Sequence, residues 1–242
     1  MNVQLYLTPI PFTGDEISDK TAVVIDVLRC TTCISAALMA GARGVIPTSG
    51  PGEAADMWTK IGPEMAILAG ERNGIKIESF QLGNSPAEFT SEAVGGKFVV
   101  MTTSNGTAAF MEATGAALTL SCSLNNISKV ASRIAEEGRD LVITCAGMTG
   151  QFSIEDTICG GMLMHLLATK SKIKLTVNDA GSLALLLYRS NKTALRQTIA
   201  QGEHARFLSR LGFETDVTAA AACDTMPVLP ILKDGCLAPA EE

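Results

Sequence analysis

A chain of 242 residues with a net charge of −6 and 47% hydrophobic residues can bury one large aliphatic core or two small ones. The acidic balance, without any Lys/Arg cluster, excludes an electrostatic stripe for nucleic acid, and no apolar run reaches membrane-spanning length. The start, MNVQLYLTPI, lacks the basic and long apolar segments of a secretory leader, and seven scattered cysteines suit reduced thiols, so a cytoplasmic protein is expected. Cys30 and Cys33 have CxxC spacing, but no second pair completes a zinc site, and they read as small helix residues.

In chain order, a first strand over 3–7 and a polar connection over 13–20 lead to a buried strand at 22–25, which delivers Asp26 and then Arg29. A helix over 31–40 closes at Gly41. A short strand, 44–47, precedes a helix over 51–61 with Pro in its first turn. The strand 66–69 ends in Gly70-Glu71-Arg72, residues 73–83 read as an irregular loop, and Asn84-Ser85-Pro86 caps a helix carrying Glu88. Residues 98–101 are an apolar, β-branched strand that empties into Thr102-Thr103-Ser104-Asn105-Gly106-Thr107, with an Ala-rich helical pattern from Ala108. A strand at 117–120, a helix over 123–137 and a strand at 141–144 follow. The last of these opens into 145–150, and the next helix carries Glu155 and Asp156 in its first turn. From residue 170 the pattern is helical (179–188, 192–200, 204–211, 217–223), before a strand-like piece at 227–232 and Asp234-Gly235. Strands alternating with helices predict an α/β fold. The expected form is a three-layer α/β/α sandwich on a mainly parallel or mixed sheet, one domain over 1–242 with the helix-rich 170–225 on the same core.

Ligands of such sheets sit beyond the carboxyl ends of the strands. Those exits hold Asp26 and Arg29, Glu71 and Arg72, Thr103 to Thr107, and Gly147 to Asp156, with Asn84 and Ser85 on a nearby turn. Free N–H groups at a helix start attract anions, arginine clamps phosphate oxygens, and carboxylates hold Mg²⁺. These are the parts of phosphoryl chemistry. Each part also has a plainer role. Ser, Thr and Asn before a helix cap it, and Asp26 could cap the helix that follows it. Arg29 and Glu71 could pair with each other. Glu155 and Asp156 suit a helix dipole and, being adjacent, do not share a face. His165 and His204 lack metal-ligand spacing and are assigned no chemistry. No GxSxG, GxxxxGK[ST] or GxGxxG motif is present, and Asp26-Val27-Leu28 lacks the second acid of a D-x-D phosphatase.

Together, TAVVIDVLRCTT, AGERNGIKIESFQLGNSPAEF, MTTSNGTAA and AGMTGQFSIEDTICGG, in this order and spacing, resemble the 2-phosphosulfolactate phosphatase family from Thr21 to Gly161, with a weaker echo at Asp234-Gly235. The GNSP and TT-x-NGT blocks are the most distinctive. The resemblance implies Mg²⁺-dependent hydrolysis of 2-phospho-3-sulfolactate to sulfolactate and phosphate, a step in the coenzyme M pathway. On that reading Asp26, Arg29, Glu71 and Arg72 are catalytic. Asn84, Ser85, Thr103, Asn105, Gly106 and Thr107 bind the substrate, and Asp26, Glu71 and Asp156 hold the metal. The partner is a small anionic phosphomonoester, and the positive mean hydropathy makes a homodimer reasonable. Alanine at Asp26 or Arg29 is then expected to abolish turnover and leave the fold intact. Three positions depart from the family pattern: Gln81 stands where an Asp is usual, and Ala108 and Cys236 where an Arg is usual. They point to two alternatives, another small acidic phosphomonoester as substrate or an anion-binding sensor without turnover. Three acids near one anion speak against the sensor.

Overall fold

Runs such as TAVVI and LVITC, apolar on both sides of the backbone, make strands with no solvent face, and they form the centre of the sheet. In the computed structural model, which describes residues 1–240, the strands are β1 (Asn2–Tyr6), β2 (Thr21–Ile25), β3 (Gly44–Pro47), β4 (Ala66–Arg72), β5 (Ile75–Lys76), β6 (Phe98–Thr102), β7 (Leu118–Cys122), β8 (Leu141–Cys145), β9 (Thr176–Val177), β10 (Pro230–Lys233) and β11 (Cys236–Pro239). They lie in the order β5-β4-β6-β3-β11-β10-β7-β2-β8-β1-β9. β2 is parallel to both neighbours, with Val23 opposite Leu120 and Ile143. One parallel block (β4-β6-β3) and another (β7-β2-β8-β1-β9) are joined by the antiparallel β10–β11 hairpin, so the last strands of the chain complete the middle of the sheet.

The helices are α1 (Gly14–Ile17), α2 (Cys30–Met39), α3 (Pro51–Ile61), α4 (Ser91–Val94), α5 (Gly106–Glu112), α6 (Ile127–Glu137), α7 (Ile154–Thr169), α8 (Asp179–Asn191), α9 (Leu195–Ala200), α10 (Glu203–Arg210) and α11 (Glu214–Ala220). The architecture is α/β with a mixed sheet and helices on both faces, as the alternation of elements predicted. Ala22 and Val24 of β2, Val45 of β3, Ala69 of β4 and Met101 of β6 share one apolar core with α2 and α5. The opposite face of β2 packs Val23 and Ile25 with α6 and α7, and the helical tail joins that core through Ala184, Ile199, Leu208 and Val217. Among the described residues no helix is long and apolar enough to cross a membrane.

Three local readings change. The stretch 73–83 begins with a hairpin: Asn73 and Gly74, both at positive φ (53° and 79°), turn β4 into β5, the geometry an Asn-Gly pair is suited to. Asn84-Ser85-Pro86 leads only into a single 3-10 turn at Pro86–Glu88. The helix expected from Ser123 starts as a 3-10 turn, Leu124–Asn126, where the Asn126 side chain accepts from the Ser123 N–H at 2.9 Å, and α6 follows.

Candidate functional site

The carboxyl ends of β2, β4, β6 and β8 converge on a cleft of about 60 Å³ roofed by α10. It is lined by Asp26, Arg29, Glu71, Asn84, Thr103 and Asn105, and by His204 and Phe207 from the helical tail. Asp26 divides its carboxylate. Oδ1 accepts the first N–H of α2, from Cys30 at 3.2 Å, so the helix-capping role is real. Oδ2 accepts no hydrogen bond among the described residues and faces Gly106, where a Cβ would overlap it and lie 2.5 Å from Cys30 Cβ. Burial pushes the Asp26 carboxyl up to about 6. The His204 charge and the Cys30 N–H pull it back, and Glu71 and Glu155 push the same way as burial.

Gly106 therefore permits a contact that no other residue would. Gly106→Ala is expected to cost about 1–3 kcal/mol of stability by overpacking and to reduce turnover at least tenfold by displacing Asp26. Urea unfolding and initial rates measure the two effects.

Glu71 braces the rim. Oε1 accepts from the Ser104 N–H (2.7 Å), and Oε2 from the Gly74 N–H (2.7 Å) and the Ser104 hydroxyl (3.1 Å). This ties the β4–β5 hairpin to the loop before α5. Asn105 Oδ1 accepts from the Thr149 N–H at 3.1 Å, tying the same loop to the one after β8. Thr103 and Thr107 cap each other: each hydroxyl accepts the other's backbone N–H, at 3.2 and 3.3 Å. Their side chains are engaged in helix capping, and the open donors at the start of α5 are the backbone N–H groups at Asn105 and Gly106, which precede or begin the helix and so have no intrahelical partner.

The remaining expected residues lie around the cleft. Arg29 pairs with Asp216, not Glu71: Nη1 is 2.6 Å from Asp216 Oδ2, and both side chains are buried. Nη2 donates to the Gly74 carbonyl at 3.0 Å, and the guanidinium stacks 4.3 Å above the Phe213 ring. Ser85 lies outside the cleft lining and donates to Asp216 Oδ1 at 2.7 Å. Arg72 is also outside the lining. It donates to its neighbour's carbonyl at Glu71 (2.7 Å) and to the Thr102 hydroxyl (2.9 Å).

Asp156 is behind the cleft, not in it. Its two oxygens accept from the Val27 N–H (2.8 Å) and the Gly147 N–H (3.0 Å), pinning the ends of β2 and β8 together. Burial, with Asp26 and Glu155 nearby, holds its carboxyl well above the usual carboxylate range. Asp26, Glu71 and Asp156 thus do not form one cluster: among the described residues no three His, Cys, Asp or Glu side chains are grouped to hold a metal. Oxygen acceptors bordering the cleft include Asp26 Oδ2 and Asn84 Oδ1, the latter buried and without a hydrogen-bond partner.

The sequence reading missed what the helical tail supplies: Asp216, Phe213, and His204, whose Nδ1 lies 3.1 Å from Glu155 Oε1. No local motif marks these residues, because His204 reaches the cleft, and Phe213 and Asp216 reach Arg29, only through tertiary packing of the helical tail.

An open α/β sheet whose strand ends converge on a buried cleft of acids, amides and free backbone N–H groups defines an enzyme site for a small polar ligand. The chain matches the 2-phosphosulpholactate phosphatase family over residues 6–235, and it belongs to that family. It is 36% identical over 235 residues, 97% of each chain, to a probable 2-phosphosulfolactate phosphatase of Caldanaerobacter subterraneus subsp. tengcongensis. It is 35% identical to one of Clostridium acetobutylicum, covering 97% of this chain and 99% of the relative. A third, of Symbiobacterium thermophilum, is 36% identical over 92% of this chain and 95% of the relative.

Proposed function

We propose that the chain is a cytoplasmic, Mg²⁺-dependent phosphatase that hydrolyses 2-phospho-3-sulfolactate to 3-sulfolactate and phosphate. Family membership supports the reaction and the substrate. The observation that carries the metal is Asn84 Oδ1, buried without a hydrogen-bond partner in the cleft that Asp26 also lines. An all-oxygen set of one carboxylate and one amide, with Glu71 beside it, fits a hard divalent ion that keeps several waters. The charge balance agrees. The substrate carries a phosphate, a sulfonate and a carboxylate, the Arg29 charge is already met by Asp216, and Asp26 and Glu71 border the same space. Bound there by Asp26 and Asn84, Mg²⁺ would neutralise the phosphoryl oxygens and lower the pKa of a water. Arg29 has five N–H groups, of which two serve Asp216 and Gly74, so three remain for the phosphoryl oxygens, beside the N–H groups of Asn105 and Gly106. Asp156 contributes indirectly, by fixing the strand ends that aim Asp26.

The departures from the family pattern do not favour a different substrate. Gln81, Ala108 and Cys236 all lie outside the cleft lining, and Gln81 Oε1 instead accepts from the Leu68 N–H at 2.9 Å. The test is phosphate release from racemic 2-phosphosulfolactate with Mg²⁺ or with EDTA, beside a panel of phosphomonoesters. Release from phosphosulfolactate that EDTA suppresses at least about a hundredfold, and Mg²⁺ restores, is expected. Release from another panel member would move the substrate, and tight anion binding without release would make the protein a sensor.

A further inference from the structure

Four ionisable side chains line the inner cleft: Asp26, Arg29, Glu71 and His204. A phosphomonoester with an alcohol leaving group needs a proton on the departing oxygen, and only some of these can give one. Arginine does not lose its proton in proteins. Both Glu71 oxygens accept from N–H and O–H donors. Asp26 is the carboxylate that would hold the metal on the reading above.

His204 stands elsewhere. Beside the inner cleft is an outer one of about 390 Å³, whose charged lining residues besides His204 are Glu155, Glu203 and Arg206, and Met148, Thr149 and His204 border both. A phosphoryl group seated over Asp26 fills the inner space and leaves the rest of the substrate in the outer one. The scissile ester oxygen then lies at the passage where His204 stands. Glu155 borders the outer cleft yet is only 1% exposed, and it holds Nδ1 with Oε1 while Oε2 has no partner. A buried carboxylate on one ring nitrogen fixes the imidazole and reserves the other nitrogen for a reactant.

On the phosphatase reading above, we propose that His204 is the general acid of the reaction and Glu155 its positioning residue. As the water oxygen bonds to phosphorus, the P–O ester bond breaks and its electron pair stays on the leaving oxygen. Protonated His204 gives that oxygen its Nε2 proton, so sulfolactate departs as the alcohol. The protons of the attacking water remain on the phosphate, and neutral His204 is reprotonated from solvent.

The experiment compares phosphosulfolactate with 4-nitrophenyl phosphate, whose phenolate leaves without a proton. It uses wild type, His204→Gln, and the Glu155→Gln/His204→Gln double variant, which strands no buried carboxylate. For both variants, kcat for phosphosulfolactate should fall about 10²–10⁴-fold, against a loss of a few-fold for the aryl ester. Equal losses on the two esters overturn the assignment. If wild type does not take the aryl ester, a kcat fall at a KM within about twofold of wild type supports it, and a loss confined to KM overturns it. A wild type that cleaves no phosphomonoester removes the phosphatase reading and this inference with it. An active wild type with an equally active His204→Gln removes this inference alone.

Discussion

Asp26→Asn will abolish phosphate release and make the metal-free protein more stable at pH 8. Asp26 is buried among other acids, and its carboxyl is raised from 3.8 to about 6, chiefly by burial. A group whose folded pKa exceeds its unfolded value favours folding in its protonated form. That contribution is full below about pH 4 and is lost as pH rises through 6, so at pH 8 the ionised carboxylate costs on the order of 3 kcal/mol. The amide keeps an acceptor for the Cys30 N–H and removes the charge. In EDTA at pH 8 the variant's Tm should exceed that of wild type by roughly 5–10 °C, and the difference should vanish near pH 4. Mg²⁺ should raise the Tm of wild type and leave the variant unmoved, while turnover falls at least about a thousandfold. A variant no more stable than wild type at pH 8 would mean that Asp26 serves as a helix cap, with no charge stored for a ligand.

The same residue shows what a linear sequence can and cannot tell. Asp26 at the end of TAVVI, Glu71 after AILAG and the Thr-Ser-Asn-Gly junction after FVVMT were legible because short apolar strands announce their own exits, and in an α/β sheet the exits make the site. Whether an exit side chain faces ligand or backbone was not legible. Asp156 sits one residue from Glu155, and its role depends on Val27 and Gly147, far away in sequence or across a turn. Two hairpin turns leave a local signal in the sequence. Asn73-Gly74 and Asp234-Gly235 both sit at positive φ between antiparallel partners, as such pairs favour, but the flanking β5 is only two residues long and exposed and gives no periodic signal. The place of β10–β11 in mid-sheet follows from long-range pairing, to which local patterns are blind.

Arg29 is where the structure changes an expectation most. Alanine there was expected to leave the fold intact, but Arg29 and Asp216 form a buried pair at 2.6 Å, and removing one partner leaves the other charge uncompensated, at about 3–5 kcal/mol. Arg29→Met should therefore destabilise the protein by about that amount as well as abolish turnover. Asp216→Asn keeps an acceptor for the Ser85 hydroxyl, which donates to Oδ1, and should destabilise through the stranded guanidinium. The double variant strands neither charge, so it should lose less than the sum of the singles, with a coupling of about 1–3 kcal/mol in urea unfolding. Additive losses would mean that the pair is solvated in solution and that α11 is not latched to the cleft through it. Arg29→Lys separates fold from function: it keeps one positive charge opposite Asp216 but cannot reproduce the planar fork that reaches Asp216 and Gly74 at once. It should retain most of the stability and, on the proposal that the fork's other N–H groups hold phosphoryl oxygens, lose turnover by at least about a hundredfold.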